Sequence, residues 1–275
     1  MGRDRIESAT IDRTGELMTV WLNGVLVNDV TLPSTGGGWL MGDGIFESLR
    51  TYGGLPFALD QHLQRLENSA RAMRCDIPNL ALIRSGISEV IAANPCEPYG
   101  RLRITLLSDS NLLITHAPYE ESNSALALTQ NPWSQHSNRA ITGLKTISYA
   151  ENSVALRRAR EKGFDDALFI NEEGYIVETA LANILWCENN SWYTSTLKSG
   201  CLPGVTRALL IEHFGVKEKD ITPSHFAEVD AAAITSSVRE IVEIVRFESK
   251  FFEPSQSLKE LQASFHRWIL DKLRV

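Results

Sequence analysis

Two short glycine turns, each flanked by apolar residues, constrain the fold of this 275-residue chain more than any other feature. In the run TVWLNGVLV, residues 19–27, the Asn-Gly pair at 23–24 separates two apolar arms, which is the strongest short-range signal of a β-hairpin. A second hairpin is predicted from a strand over 45–52, a turn at the Gly-Gly pair 53–54 and a return over 55–59. The N-terminal part is therefore expected to build an antiparallel sheet.

Apolar residues at helical spacing add two helices to this sheet. The first helix follows Asp60, its expected N-cap, and its apolar positions are Leu63, Leu66, Ala70 and Met73. A second helix is predicted after Asn79, and two strands follow over 101–107 and 112–115. Residues 1–118 are therefore predicted to form a small N-terminal α/β domain.

A polar stretch without periodicity, APYEESNSA, separates this part from the rest and predicts an interdomain linker at 119–124. Residues 125–275 are then the second and larger domain. Its predicted strands lie at 125–130, 167–170, 175–178 and 183–188. Its predicted helices lie at about 151–162, after Gly204 to about 213, and around 258–269.

Composition excludes several classes of function. The net charge of -7, with both signs mixed along the chain, argues against nucleic acid as the main partner, because such binding relies on clustered Lys and Arg. No apolar run approaches the roughly 20 residues of a membrane-spanning helix, and the start MGRDRIESATIDR has no apolar signal-peptide core, so we expect a cytoplasmic protein that does not bind membranes. The four cysteines are widely spaced and have no histidine at metal-ligand spacing, which predicts reduced thiols and no metal site.

Lys145 is the first candidate for chemistry. It lies in GLKTISYAEN, between a predicted strand and a predicted helix, with Leu144 and Ile147 nearby rather than other charges. Desolvation favours the neutral form of an amine, which is the form that acts as a nucleophile or a base. Most lysines are solvated surface residues, so this interpretation depends on the surrounding motifs.

Several segments in a fixed order supply that context. They are GDGIFESLR and DQHLQRL, then GFDDALFINEEGYIVETALANILW followed by SGCLPGVTR, and finally AAAITSSVREIVEI. Together with the lysine segment they closely resemble the signatures of the class IV, fold-type IV pyridoxal-phosphate (PLP) enzymes, over most of the chain. The resemblance implies an α+β fold with a smaller α/β N-terminal domain, a larger β-rich C-terminal domain and PLP in the cleft between them. It also implies a homodimer.

The resemblance assigns roles around the cofactor ring. Lys145 matches the Schiff-base lysine, which also removes the Cα proton of the substrate. Glu178, in VETALAN, matches the glutamate that keeps the ring nitrogen protonated, a state that the cofactor needs to act as an electron sink. Without the motif, Glu178 would be interpreted as a surface carboxylate at a strand edge. Tyr149 is the candidate for a hydrogen bond to the phenolic oxygen of PLP, and Asn152 competes for that role.

The resemblance also implies two sources of phosphate contacts. Arg65, in HLQRL, matches the arginine that makes charge-assisted hydrogen bonds to the phosphate. As an alternative, Arg65 would be a helix-surface cation paired with Glu67 or Asp60. The start of the helix after Pro203 offers free backbone N–H groups, which bind phosphate readily. The remaining expected contacts are Gly204, Val205, Thr206, Ser236 and Ser237.

The substrate is less well defined. Arg101 and Arg103 alternate on one predicted strand and should point to the same face, where they would either hold a substrate carboxylate or form exposed ion pairs. The Arg-Asn-His carboxylate trap of the D-amino-acid aminotransferases has no counterpart. Neither does the arginine- and glycine-rich loop of the enteric aminodeoxychorismate lyases. Three glycines at 36–38 stand where relatives have Asp followed by Arg or His, which predicts an unusually mobile wall.

Three functions follow from this pattern. An aminotransferase would pass an amino group from an amino acid of the branched-chain-like group to a 2-oxo acid. A lyase would release pyruvate and 4-aminobenzoate from 4-amino-4-deoxychorismate. A PLP-binding protein without turnover is a third possibility, against which the presence of both Lys145 and Glu178 argues. Transamination is favoured because it requires no specialised element that the chain lacks.

Overall fold

The computed structural model describes residues 18–31, 37–121 and 124–274. The chain divides into two compact units, Met1–Glu120 with Lys145–Ser148, and Glu121–Leu144 with Tyr149–Val275. The short segment Lys145–Ser148, which the sequence places in the C-terminal domain, thus groups with the first unit. The N-terminal stretch without a signal-peptide core, Gly36 of the glycine segment and residues 122–123 of the expected linker lie outside the described residues.

The first unit contains a six-stranded antiparallel sheet in the order β2, β1, β6, β5, β3, β4. Its strands are β1 (Val20–Leu22), β2 (Val25–Val27), β3 (Gly44–Tyr52), β4 (Leu55–Pro56), β5 (Tyr99–Leu107) and β6 (Leu112–Pro118). Its helices are α1 (Gly37–Met41), α2 (Leu59–Met73) and α3 (Leu80–Ala93).

Both predicted hairpins are confirmed in this unit. Asn23 and Gly24 have φ angles of 49° and 103°, the positive values that a two-residue hairpin turn requires. The second return strand is shorter than expected and ends at Pro56, because α2 begins three residues later. The prediction that Asp60 caps this helix is wrong. The N-cap is Ala58 in a left-handed conformation, and Asp60 lies in the first turn, where it pairs with Arg84.

The buried face of this sheet explains why α2 and α3 lie on it. Ile45, Leu49 and Leu102 point from β3 and β5 into a cluster with the apolar residues of both helices. The predicted helix face is confirmed, since Leu63, Leu66 and Ala70 are buried there and Met73 packs at the edge. Burying one such large side chain contributes about 1.5–3 kcal/mol, so this helix face holds α2 firmly on β3.

The second unit contains a nine-stranded mixed sheet in the order β12, β11, β10, β13, β14, β7, β8, β9, with β15 paired to β14. The strands are β7 (Leu126–Gln130), β8 (Asp166–Ile170), β9 (Ile176–Thr179), β10 (Asn183–Glu188), β11 (Ser191–Thr194), β12 (Lys217–Glu218), β13 (Ala231–Ser236), β14 (Glu240–Phe247) and β15 (Lys250–Phe251). The helices are α4 (Ala150–Glu161), α5 (Val205–Phe214), α6 (Pro223–Phe226) and α7 (Gln256–Leu273), with a 3₁₀ turn at Leu197–Ser199.

The elements predicted for this part are all present, and six further ones are additional: β11, β12, α6, β13, β14 and β15. One of them had a signal in the sequence. Asn189 and Asn190 have φ angles of 50° and 60°, and they form the turn of a hairpin between β10 and β11. Asn tolerates this left-handed conformation better than most residues, so an Asn-Asn pair between two apolar runs indicates such a turn.

Candidate active site

The backbone around Lys145 is fixed by the start of β3, within the first unit. Phe46 donates its N–H to Lys145 O at 2.8 Å, and Ile147 donates its N–H to Gly44 O at 2.9 Å. Lys145 Nζ lies 4.4 Å from the centre of the Phe46 ring. Lys145 is therefore held by strand-type hydrogen bonds, with its amine beside an aromatic ring, and rigid placement of this kind is what a reactive group requires.

The face of β3 and β5 that carries Phe46 is rich in arginine. Arg101 and Arg103 share a face, as predicted, because the buried Leu102 points the other way. Arg103 Cζ lies 3.8 Å from the centre of the Phe46 ring, and its Nε donates to Thr105 Oγ1 at 3.1 Å. Arg103 and Lys145 thus contact one ring, which places a fixed cation close to the candidate lysine.

On the other face of β3, Glu47 binds Arg65 and His62 of α2. Arg65 donates from Nε to Glu47 Oε1 at 2.8 Å and from Nη2 to Oε2 at 2.6 Å, and His62 Nδ1 lies 2.7 Å from Oε2. Burial alone would raise the pKa of Glu47, but the charge and hydrogen bonds of Arg65, helped by His62, lower that pKa to about 2. Burial lowers the pKa of His62, although Glu47 opposes the shift.

Glu47 is therefore a partner of Arg65, and the largely buried Arg65 side chain does not fit the alternative interpretation of a helix-surface cation. Glu47 precedes Arg65 by 18 residues and lies on a strand, so helix spacing gave no hint of the pair. Glu47 fixes one edge of the guanidinium group with two hydrogen bonds. This arrangement orients Arg65 in advance of any ligand.

In the second unit, Glu178 on β9 is held by two N–H donors. Asn183 Nδ2 donates to Glu178 Oε2 at 3.1 Å, and Leu202 N donates to the same oxygen at 3.2 Å. The neighbouring thiol of Cys201 stays neutral, since burial and then the charge of Glu178 raise its pKa to about 12. Sequence reasoning did not single out Asn183, although the VETALAN motif contains it.

The N-terminus of α5 presents donors of the kind expected for phosphate. Its N-cap, Gly204, has no side-chain cap, and Thr206 Oγ1 lies 3.2 Å from Ser237 Oγ. One detail differs from the expectation, because Gly204 N already donates to Leu202 O at 2.8 Å. The backbone N–H groups without an intrahelical acceptor thus begin at Val205. Ser236 Oγ accepts from Arg239 N at 3.2 Å and shapes the turn that carries Ser237.

Tyr149 and Asn152 are the two candidates for the contact with the phenolic oxygen of PLP. Tyr149 is the N-cap residue of α4, immediately after the Lys145–Ser148 segment, and it is half-buried. Asn152 donates from Nδ2 to Ala180 O at 2.9 Å, so its amide serves the turn after β9. The engagement of this amide weakens the case for Asn152 as the contact of the phenolic oxygen.

The described residues contain no group of three or more His, Cys, Asp or Glu side chains that could hold a metal ion. Within the same described ranges, every helix is too short or too polar to cross a membrane.

Comparison with known proteins gives consistent matches along the chain. The model of the family described as amino-transferase class IV matches residues 44–247. A putative branched-chain-amino-acid aminotransferase of Methanocaldococcus jannaschii is 26% identical, over 87% of this chain and 91% of that protein. The aminodeoxychorismate lyase of Bacillus subtilis is also 26% identical, over 83% and 86%. A crystal structure of the branched-chain aminotransferase from Thermoproteus uzoniensis with norvaline superposes with a TM-score of 0.87 at 24% identity, covering 93% of this chain and 95% of that one.

Proposed function

Because this chain belongs to the class IV aminotransferase family, whose members are PLP-dependent enzymes, we propose that it transfers an amino group between an amino acid of the branched-chain-like group and a 2-oxo acid. The observation that carries this proposal is the placement of Lys145. Its backbone is bound to β3 and its amine lies beside Phe46, while the family motif supplies the carboxylate of Glu178.

The donors and acceptors present fit PLP. The N-terminus of α5, with the hydroxyl groups of Thr206 and Ser237, presents donors to a phosphate, and the Glu178 carboxylate suits a protonated ring nitrogen. Bound PLP would supply an electron sink for the electron pair that remains when the Cα–H bond breaks.

Lys145 acts twice in the proposed mechanism. Its Nζ would hold bound PLP covalently, and once the substrate amine has released it, the free Nζ would take the Cα proton of the substrate and act as the proton donor afterwards. The Glu178 carboxylate would keep the ring nitrogen of bound PLP protonated. Tyr149 would donate a hydrogen bond to its phenolic oxygen.

The phosphate contacts would hold the cofactor at the end remote from the reacting carbon. We assign them to Arg65 in the first unit and to the segment 204–206 with Ser236 and Ser237 in the second. For Gly204 the role is close approach of the backbone rather than donation, because its N–H is bonded to Leu202 O. Arg101 and Arg103 are assigned to the substrate carboxylate, and the position of Arg103 on the Phe46 ring, which Lys145 also contacts, supports this role.

Release of pyruvate and 4-aminobenzoate from 4-amino-4-deoxychorismate is the second candidate. The observation in its favour is the similarity to the Bacillus subtilis aminodeoxychorismate lyase. That protein and the archaeal aminotransferase relative are equally identical in sequence to this chain. Both reactions begin with proton removal by Lys145. They differ in whether the proton returns to the cofactor or a leaving group departs.

A product assay separates the two candidates. The purified holoenzyme is given L- and D-amino acids with 2-oxoglutarate or pyruvate in one series and 4-amino-4-deoxychorismate in the other, with Lys145→Ala as the inactive control. We expect the 2-oxo acid of a branched-chain amino acid to form. Formation of 4-aminobenzoate without any transamination would overturn the proposal in favour of the lyase, and no product in either series would indicate a PLP-binding protein without turnover.

We further propose that the enzyme works as a cytoplasmic homodimer, with residues 119–124 linking an N-terminal domain, 1–118, to a C-terminal domain, 125–275. Family resemblance and the division of the chain near Glu120 support this arrangement. Sedimentation of the purified holoenzyme would report the oligomeric state directly.

A further inference from the structure

Asn183 connects the candidate glutamate to a second segment of the chain. It is the first residue of β10 and is 5% exposed. Its Nδ2 donates to Glu178 Oε2 at 3.1 Å and to Leu202 O at 2.9 Å. An amide nitrogen carries two N–H groups, so these two acceptors use both of them. The side chain therefore bridges a carboxylate on β9 and the segment that leads into α5.

The segment from Leu202 to Gly204 is fitted closely around this amide. A Cβ atom on Gly204 would lie 2.0 Å from Asn183 Oδ1, which is closer than real Cβ contacts, so a larger residue at this position would displace the Asn183 amide. Leu202 N donates to Glu178 Oε2 and Leu202 O accepts from Asn183, so one residue closes the ring of hydrogen bonds. The carboxylate, the amide and the backbone before α5 form one continuous network.

We propose that Asn183 is a positioning residue that holds the Glu178 carboxylate ionised and oriented and ties it to the segment entering α5. The inference rests on the proposed role of Glu178 at the ring nitrogen of the cofactor. Hydrogen bonds donated to a carboxylate favour its ionised form, and an ionised carboxylate is what keeps a proton on that nitrogen. Asn183 acts through Glu178 and does not itself contact the reacting atoms.

The proton at Lys145 Nζ reports on this arrangement. When Nζ is bound to the cofactor, a positive charge on the ring nitrogen would lower the pKa of Nζ, because a nearby like charge disfavours the protonated, charged form. When Glu178 holds the ring proton less well, Nζ keeps its own proton to a higher pH. The visible absorbance of the holoenzyme changes as this proton leaves, so the midpoint of a pH titration measures the effect.

The test compares Asn183→Ala with Asn171→Ala in the holoenzyme. Asn171 is a suitable control because it is 3% exposed, lies in the same unit and also binds backbone groups, accepting from Glu173 N and Tyr175 N and donating to Ser199 O. Asn183→Ala removes one hydrogen bond to the charged Glu178, so we expect its midpoint to rise by about one pH unit, which corresponds to about 1.36 kcal/mol. Asn171→Ala should keep the wild-type midpoint even if it lowers the melting temperature.

Two further variants, Asn183→Ser and Glu178→Gln, separate a failure of the role of Asn183 from a failure of the role of Glu178. Asn183→Ser retains a small polar group while withdrawing the amide from Glu178, and its midpoint should shift in the same direction. It replaces Asn183→Ala in the test if that variant does not fold. Glu178→Gln gives the full effect of losing the carboxylate. An unshifted midpoint in Glu178→Gln would overturn the role of Glu178 and this inference with it. A shift in Glu178→Gln, together with wild-type midpoints for Asn183→Ala and Asn183→Ser, would overturn the role of Asn183 alone.

Discussion

At the scale of single residues, the guanidinium group of Arg65 has two proposed partners. It binds Glu47 through two hydrogen bonds, and we propose that it also binds the phosphate of the cofactor. A guanidinium group has five N–H donors in a planar fork, so one edge can serve the carboxylate while others serve a phosphate. Glu47 would then act as the brace that keeps the remaining donors in place.

Arg65→Ala should weaken PLP binding by roughly one to two orders of magnitude, since a charge-assisted hydrogen bond is worth about 1.5–3 kcal/mol. Arg157→Ala, an exposed arginine on α4, is the matched control. Measuring pyridoxal alongside PLP separates the phosphate contact from general damage, because only PLP carries the phosphate. Equal losses for the two ligands, or equal PLP affinity in both variants, would contradict the assignment of Arg65.

Glu47 should contribute to stability in a pH-dependent way. Its pKa in the folded protein is about 2, below the ordinary value of 4.5, so its contribution is present above the ordinary value and is lost as the pH falls toward 2. Near pH 7 Glu47→Gln should lower the free energy of unfolding by about 3 kcal/mol, because it breaks a buried charge pair. Denaturant titrations at several pH values measure this, with Glu67→Gln on α2 as the control. A difference between wild type and Glu47→Gln that persists unchanged at pH 2 would refute it.

At the scale of elements, the turn after β9 positions Glu178 and is itself held by Asp166. Asp166 Oδ1 accepts from Ala167 N at 2.8 Å and from Ala180 N at 3.2 Å. Its Oδ2 is buried and has no hydrogen-bond partner among the described residues. Burial raises the pKa of this carboxyl group, although the hydrogen bonds it accepts and the charge of Arg239 oppose the rise.

The raised pKa gives a prediction with a definite sign. The folded state binds the Asp166 proton more tightly than the unfolded state, so this group stabilises the protein at low pH and the contribution is lost as the pH rises above the ordinary value of 3.8. Asp166→Asn cannot ionise and should gain stability relative to wild type with increasing pH. Melting curves across this range, with the exposed Asp165→Asn for comparison, test it. Parallel pH profiles for wild type and Asp166→Asn would show that Asp166 is ionised in the fold at no cost.

Local sequence signals predicted some elements well and others poorly, for identifiable reasons. The Asn-Gly turn at 23–24 was predictable because the dipeptide itself supplies both positive φ angles. Asp60 was mistaken for a cap because the chain enters α2 through Ala58 in a left-handed conformation, which is uncommon for alanine and has no sequence signature. The pairing of Lys145 and Thr146 with the start of β3 joins residues about 100 positions apart, so no local pattern could indicate it.

At the scale of the whole molecule, the candidate residues are distributed over both units. The first unit fixes Lys145, Arg65 and Arg103 with the backbone or side chains of β3 and β5, and the second unit fixes Glu178 and the donors at α5. The family motifs predicted these residue types and their order. The roles of Asn183 and Glu47 were found only in the three-dimensional structure, because their contacts join different elements.

The central claim is that Lys145 is the residue that binds PLP covalently. Reducing the holoenzyme with borohydride fixes the cofactor to its lysine, and peptide mass mapping then identifies the site. We expect the mass of one reduced cofactor on the peptide that contains Lys145, and no such adduct in Lys145→Ala treated in the same way. An adduct on another lysine, or none on the wild-type protein after saturation with PLP, would contradict the account.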